Sequence, residues 1–164
     1  MILKTERLVL RGPRPDDLEP MFAVYSDPRA MRYWSTAPHD KRAVTQELLD
    51  RRLAAWNTAP FMFHITINDT YIGHAGNYMS DEIGFMLHPD HWRQGILTEA
   101  LGAIIPYLWS ATDHDQLTAD VDPVNAASCG LLRKFGFHET HRAKNTFCIN
   151  GVWSDSIYFA LPRP

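Results

Sequence analysis

The chain predicts a mixed α/β fold, with a central and mostly antiparallel sheet flanked by helices. Three observations carry this. Residues 61–88 hold three strand-like runs in succession, with no helical spacing between them. Helical spacing appears on either side, in 16–25 and 39–57 before the run and in 95–109 after it. The chain then closes on Ile149-Asn150-Gly151-Val152, a two-residue Asn-Gly turn between apolar flanks. Helices and strands do not alternate throughout, which excludes a doubly wound parallel sheet.

Taken in order, Thr5 to Arg11 sets Leu8 and Leu10 against polar neighbours, the period of a half-buried strand, and Pro13 and Pro15 end it. Asp16 or Asp17 starts a helix with Leu18, Met21, Phe22 and Tyr25 on one face. Pro28 and Pro38 bracket an irregular stretch. His39 to Asn57 reads as a helix with Val44, Leu48, Leu49, Leu53 and Trp56 inward, and Pro60 stops it. Phe61, Phe63, Ile65 and Ile67 alternate strictly, and Asn68-Asp69 is a turn. Thr70 to Met79 is the return strand, weakened by Gly73 and Gly76, and Glu82 to His88 is the third. These three should form an antiparallel meander.

Gly95 to roughly Trp109 reads as a helix with Leu97, Leu101, Ile104 and Leu108 inward, kinked or shortened by Pro106. Leu117, Ala119 and Val121 mark a strand stopped by Asp122-Pro123. Asn125 to Phe135 is a short helix, with Gly136 at its C′ position. Phe137 onward returns to strand, and Trp153 to Leu161 is the last one. The order is β-α-α-β-β-β-α-β-α-β-β. The unit from Glu82 to Val121 is expected to be a right-handed parallel crossover within a mixed sheet.

At 164 residues, 45% hydrophobic and 21% charged, the chain fits one globular domain spanning 1–164. A net charge of −3 argues against a general nucleic-acid binder and is compatible with a cationic substrate. Cys129 and Cys148 form neither a disulfide framework nor a zinc spacing, so a reduced, cytoplasmic setting is expected. No apolar stretch has membrane-spanning length, and MILKTERLVL lacks a signal-peptide pattern.

The most informative segment is EIGFMLHPDHWRQGILTEA, from Glu82 to Ala100. An apolar strand stops at His88-Pro89, a polar turn follows, and Gly95 opens a helix. The first N–H groups of a helix lack intrahelical partners and sit at its positive end. Gly95 removes the side chain that would hold a bulky anion away. The turn from Trp92 to Thr98 is therefore expected to seat the diphosphate of a nucleotide cofactor.

The element order, with a glycine turn after the fourth strand, resembles the GNAT (Gcn5-related) N-acetyltransferases over nearly the whole chain. Their cofactor loop is Gln/Arg-x-x-Gly-x-Gly/Ala; here it is Trp92-Arg93-Gln94-Gly95-Ile96-Leu97, matching at the central glycine. Asn125-Ala126-Ala127-Ser128 followed by Leu131-Leu132-Arg133-Lys134-Phe135-Gly136-Phe137 resembles the Asn-x-x-Ser helix of the ribosomal-protein N-terminal acetyltransferase (RimJ/RimL-like) branch. EIGFML, GILTEAL and NGVWSDSIYFAL look like the same branch. The resemblance implies the GNAT acyl-CoA N-acyltransferase fold, acetyl-CoA as co-substrate, and an amine acceptor. That acceptor is a peptide or protein N-terminal α-amine, or else a small amine such as a polyamine or an amino-sugar drug. The competing class is an acyl-CoA-binding module without turnover, with Leu97 and Leu132 as its pointers; a longer acyl donor is a third reading. A homodimer, through the last strands or the second helix, is compatible with the sequence.

Carried over residue by residue, the resemblance puts Phe85, Met86 and Leu87 on the pantetheine arm. It puts the N–H groups of Arg93, Gln94, Gly95, Ile96, Leu97 and Thr98 on the diphosphate, and Asn125 and Ser128 near the pantetheine and the sulfur. The N–H of Leu87 is the candidate for the oxyanion. Ser128 is the candidate for assisting the thiolate, since Leu132 stands where many members carry a tyrosine. Glu82 is the first choice of base, with Asp81, Asp120, His74 and His88 as rivals; strand alternation would point both Glu82 and His88 towards the cleft. Tyr33, Trp34 and Trp56 fall on the acceptor side, while Arg93, Arg133 and Lys134 are within reach of the ribose phosphate. His88/His91 and His138/His141 do not fix two rings on one ion, and no metal is expected.

Overall fold

The computed structural model describes residues 1–77 and 80–164. The expected end of the return strand, Met79, lies outside the described residues. The chain opens on a short hairpin, β1 (Ile2–Lys4) and β2 (Val9–Arg11), so a strand precedes the first one expected. Thr5 to Leu8 is not extended: Thr5 N–H donates to the Leu8 carbonyl at 3.0 Å, and Leu8 N–H to the Thr5 hydroxyl at 3.1 Å, closing a turn.

Helix α1 (Leu18–Tyr25) follows a single 3-10 turn, and α2 (Arg42–Trp56) follows the irregular stretch. Leu48, Leu49, Leu53 and Trp56 of α2 pack inward as expected, but Val44 does not. Val44 is 40% exposed, and Thr45, Leu49 and Arg52 are buried. The helix turns these inward because a polar chain beneath it needs partners. Arg52 donates to the Tyr25 hydroxyl at 2.6 Å and lies 3.4 Å from Nε2 of His64. His64 donates to Asp17 at 2.8 Å, and Arg11 closes a bidentate pair with the same carboxylate at 2.9 and 2.7 Å.

Strands β3 (Met62–Ile67), β4 (Thr70–Asn77) and β5 (Ile83–Leu87) form the expected antiparallel meander. Asn68 and Asp69, both at positive φ (49° and 64°), make its first turn. Helix α3 (Ile96–Ala111) runs through Pro106 and ends two residues past the expected Trp109. Pro106 and Gly102 both face solvent, so the carbonyl that loses its N–H partner is hydrated rather than buried. Then come β6 (Gln116–Val121), α4 (Ala126–Lys134), β7 (His138–Ile149) and β8 (Val152–Pro162). Gly136, at φ 87°, ends α4 with Phe137 N–H donating to the Leu132 carbonyl at 3.1 Å.

The strands form two sheets, not one. Five strands run β1-β2-β3-β4-β5 and three run β6-β8-β7, antiparallel throughout. Among the described residues, β5 and β6 meet at one parallel bridge, Glu82 with Thr118, reinforced by Thr118 N–H on the Asp81 carbonyl at 2.9 Å. Beyond it they form no ladder. One core joins both sheets to α3, through Leu10, Phe63, Ile65, Leu101, Ile104, Leu117 and Phe159. A second core packs Met21, Tyr25 and Leu49 of the first two helices on Tyr71 and Met86. Because helices cover both faces, β4 is buried at every position from Tyr71 to Asn77. No helix among the described residues is long and apolar enough to cross a membrane.

Candidate active site

The loop after β5 is shaped by main-chain geometry. His88 N–H still pairs back, to the Ile72 carbonyl at 2.8 Å. A 3-10 turn over Pro89–His91 follows, then Arg93 at φ 58° and Gly95 at φ 75°. Gly95 is the N-cap of α3 and offers no side chain to its amides. The Glu99 N–H bonds the Gly95 carbonyl at 2.9 Å, so the N–H groups of Ile96, Leu97 and Thr98 precede the helical ladder. A Cβ at Gly95 would project into open space, meeting within 4 Å only the Arg7 Nη2 at 3.6 Å. Ile96 is buried and Leu97 packs against the main core, so both bulky side chains turn away from the loop mouth. Trp92 is already engaged: its main-chain N–H bonds Pro89 at 3.1 Å, and its indole N–H bonds the Leu87 carbonyl at 2.8 Å.

The gap between β5 and β6 leads up to this loop. In an antiparallel pair, alternate residues turn both main-chain groups towards the partner strand. The His88–Ile72 bond fixes that alternation, so Met86 pairs towards His74, while Phe85 and Leu87 turn theirs to the gap. Across the gap, the Asn125 side chain caps α4 by accepting from Ser128 N–H at 3.2 Å. The half-buried Ser128 hydroxyl has no hydrogen bond among the described residues, including any to the preceding turn. Cys129 beside it is 3% exposed; burial pushes its thiol pKa up, which suits an inert side chain. Leu132 is fully in the core.

A cleft of 440 Å³ opens where the two sheets touch. Tyr33 and Trp34 of the irregular stretch line one side, Phe147 and Asp155 of the last hairpin the other, and Glu82 and Asp120 the base. Gly84 of β5 lines it without a side chain to fill it. Glu82 is exposed, but partial burial of its carboxylate, with Asp120 and Asp81 nearby, raises its pKa. Burial also raises Asp120, against hydrogen bonds from Ser156 and Tyr158. Asp122 and Asp155 add further negative charge, and Arg32 opposes it.

The other base candidates lie elsewhere. His88 shares the alternating face of Glu82 but sits beyond the far end of β5, where its Nδ1 accepts from Asp90 N–H at 3.3 Å; it does not line the cleft. Six residues of strand span about 20 Å, which explains the separation. His74 is fully buried behind Trp34, with its Nδ1 3.0 Å from the Tyr71 hydroxyl, and burial drives its pKa well below the usual value. Trp56 does not line the cleft and packs edge-on against Phe63 at 5.2 Å. Arg93, Arg133 and Lys134 are exposed. Among the described residues, no three metal-ligating side chains converge. A smaller hollow of 280 Å³ between Ala59, Asn77 and His114 holds no residue of the loop or the gap.

Sequence reading missed the pair that braces the loop. Arg7 Nε bonds Glu99 at 2.7 Å, its Nη1 bonds the Gln94 carbonyl at 2.9 Å, and Thr5 donates to the same carboxylate. The partners are 92 residues apart, and Arg7 stands in no motif.

Comparison with known proteins agrees with this geometry. A domain described as "Acetyltransferase (GNAT) domain" matches residues 7–138. The uncharacterized N-acetyltransferase YoaA of Bacillus subtilis is 27% identical, over 99% of this chain and 97% of its own. The [ribosomal protein uS5]-alanine N-acetyltransferase of Escherichia coli is 29% identical over 54% of this chain and 46% of its own. A Salmonella typhimurium acetyl transferase, described as modifying the N-terminal serine of ribosomal protein L7/L12, superposes with a TM-score of 0.86. It is 16% identical, and all of both chains is covered. Solved structures of this fold include complexes with acetyl-CoA and with coenzyme A. With parted strands, a glycine-opened helix and a family match over most of its length, the chain belongs to the GNAT acetyltransferases and uses acetyl-CoA.

Proposed function

We propose that the chain transfers an acetyl group directly from acetyl-CoA to a peptide or protein N-terminal α-amine, with small amines as the alternative acceptors. One observation carries this reading. The gap lined by the main-chain groups of Phe85 and Leu87 meets an acidic cleft at Glu82, so a donor and a cationic amine would approach the same point from opposite sides.

Residues fitted to acetyl-CoA are those already free to hold it. The N–H groups from Arg93 to Thr98 would take the diphosphate, Gly95 leaving the space a side chain would fill. Phe85 and Leu87 would pair with the pantetheine amides. Bound acetyl-CoA supplies a thioester carbonyl for the amine to attack and a thiolate to depart. The Leu87 N–H would hold the oxyanion. Ser128 donates its unused hydroxyl to the thiolate, and Asn125 orients it by fixing the first turn of α4. Glu82 takes the proton from the amine through a chain of waters, since about 16 Å of strand separates it from Leu87, and its raised pKa makes it a stronger base than an ordinary carboxylate.

An N-terminal amine, with a pKa near ~7.7–8.0, is far closer to neutral at physiological pH than a lysine near ~10.4. A carboxylate base suits the former. The relatives that act on uS5 alanine and on the L7/L12 N-terminal serine support the same acceptor class. The test is thiol release with free-N-terminus peptides, N-blocked lysine peptides, polyamines and amino-sugars, beside calorimetry with coenzyme A. Turnover confined to free N-termini is expected. Turnover confined to small amines would overturn the acceptor reading, and coenzyme A binding without any turnover would make the chain a binding module.

A further inference from the structure

We infer that Arg7, reaching across from the N-terminal hairpin, is a diphosphate-binding residue that completes the cofactor loop. The inference rests on the reading that this loop holds the diphosphate, and it adds a residue from a distant part of the chain.

The guanidinium has three nitrogens, and two are fixed. Nε donates to Glu99 at 2.7 Å, and Nη1 donates to the Gln94 carbonyl at 2.9 Å. These bonds set the plane of the group against the loop and the first turn of α3. Nη2 has no partner among the described residues, and it lies 3.6 Å from where a Cβ on Gly95 would stand. The third nitrogen is thus presented at the open space that glycine leaves beside the first amides of α3. Arg7 is 45% exposed, so its free N–H groups face an accessible mouth rather than the core.

The anchoring is built to hold the arginine still. Glu99 also receives the Thr5 hydroxyl and the Arg7 main-chain N–H, the latter at 2.8 Å. Those bonds outweigh partial burial and hold the Glu99 carboxyl below its usual pKa, so it stays ionised. A planar guanidinium already oriented loses little freedom when an anion arrives, and its N–H fork matches phosphate oxygens. The positive end of the helix favours the same anion from the other side.

The test compares two ligands that differ in the diphosphate. Calorimetry with coenzyme A and with pantetheine, on the unmodified chain and on Arg7→Met, reads the contact directly. Loss of one charge-assisted bond predicts about tenfold weaker coenzyme A binding. The pantetheine affinity should stay within about twofold. Arg7→Lys keeps the charge without the fork and should fall between, and it carries the test if Arg7→Met does not fold. Thr5→Val removes a bond to Glu99 but leaves the guanidinium; it should lower the thermal midpoint while preserving the ratio of the two affinities. Equal loss for both ligands in Arg7→Met, or no loss for either, overturns the inference and leaves Arg7 a brace. Gly95→Ala separates the two readings. If it weakens coenzyme A while Arg7→Met does not, only the role of Arg7 fails; if neither variant does, the loop reading fails too.

Discussion

From Phe85 to Thr98, what faces the gap and the loop mouth is main chain: turned-out groups on β5, then amides at the head of α3, with the leucine and isoleucine side chains packed inward. From Glu82 across to Asp155, what faces the cleft is side chain: three aromatic residues, several carboxylates and the space left beside Gly84. The segment from Phe85 to Thr98 should therefore tolerate changes of side chain, with Arg7 as the side-chain contact of the donor side, and the acceptor side should not. A recognition surface made of peptide groups suits a ligand that does not vary. One made of side chains can be rewritten for each acceptor.

Glu82→Gln tests the acceptor side hardest. Loss of a positioned base should lower kcat/KM by roughly 10²–10⁴-fold, with coenzyme A affinity unchanged in calorimetry; a drop below threefold in thiol release removes Glu82 from the mechanism. Because its pKa is raised, activity should fall on acidification at a pH above the usual carboxylate range near ~4.3, and that limb should vanish in the variant.

The polar foundation beneath the first two helices comes next. Asp17→Asn would strand the buried Arg11 and should cost about 3–5 kcal/mol in denaturant unfolding. Burial pushes the His64 imidazole down to about 4, against its bond to Asp17. An unfolded histidine takes a proton near ~6.5, and the folded one does not until about 4. The stability this group contributes is therefore complete above the unfolded value and is lost as pH falls towards the folded one, by up to about 3 kcal/mol. A His64→Gln variant should flatten that slope; an unchanged slope assigns it to other groups.

Gly84→Val narrows the cleft. It should raise the acceptor KM by about tenfold while leaving coenzyme A affinity alone; a larger effect on the donor would reverse the division between the two sides. Leu87→Met is the smallest expected effect. The proposed contact is its N–H, so kcat should change by less than about twofold, and a large loss would mean that the side chain matters.

The donor loop was legible because its signals are local: a strand, a turn, a glycine and a helix follow one another in the sequence. The meander and the closing hairpin were legible for the same reason. The division into two sheets was not, since it depends on where β5 and β6 stop pairing, across 30-odd residues, and neither strand changes composition there. The buried places of Thr45 and Arg52 on α2 were missed because both look like surface residues until their partners come into view, His39 for Thr45 and Tyr25 and His64 for Arg52. Pro106 was read as kinking or shortening its helix because the exposure of Gly102 cannot be read from residue type. The cleft was named only by region; the places of Gly84 and Asp155 in it require the register of strands and the closing of a hairpin.

The bridge between Glu82 and Thr118, the one rung between β5 and β6 among the described residues, has a kinetic consequence. A chain threading between two hydrogen-bonded strands would first have to unzip them, at a cost rising with each rung. Here there is one rung, at the closed end, and the approach from the other end breaks none. Entry should accordingly proceed at the pace of collision and dehydration, without waiting for the sheet to melt, and the amides of Phe85 and Leu87 should gain protection from hydrogen exchange only once the slot is filled.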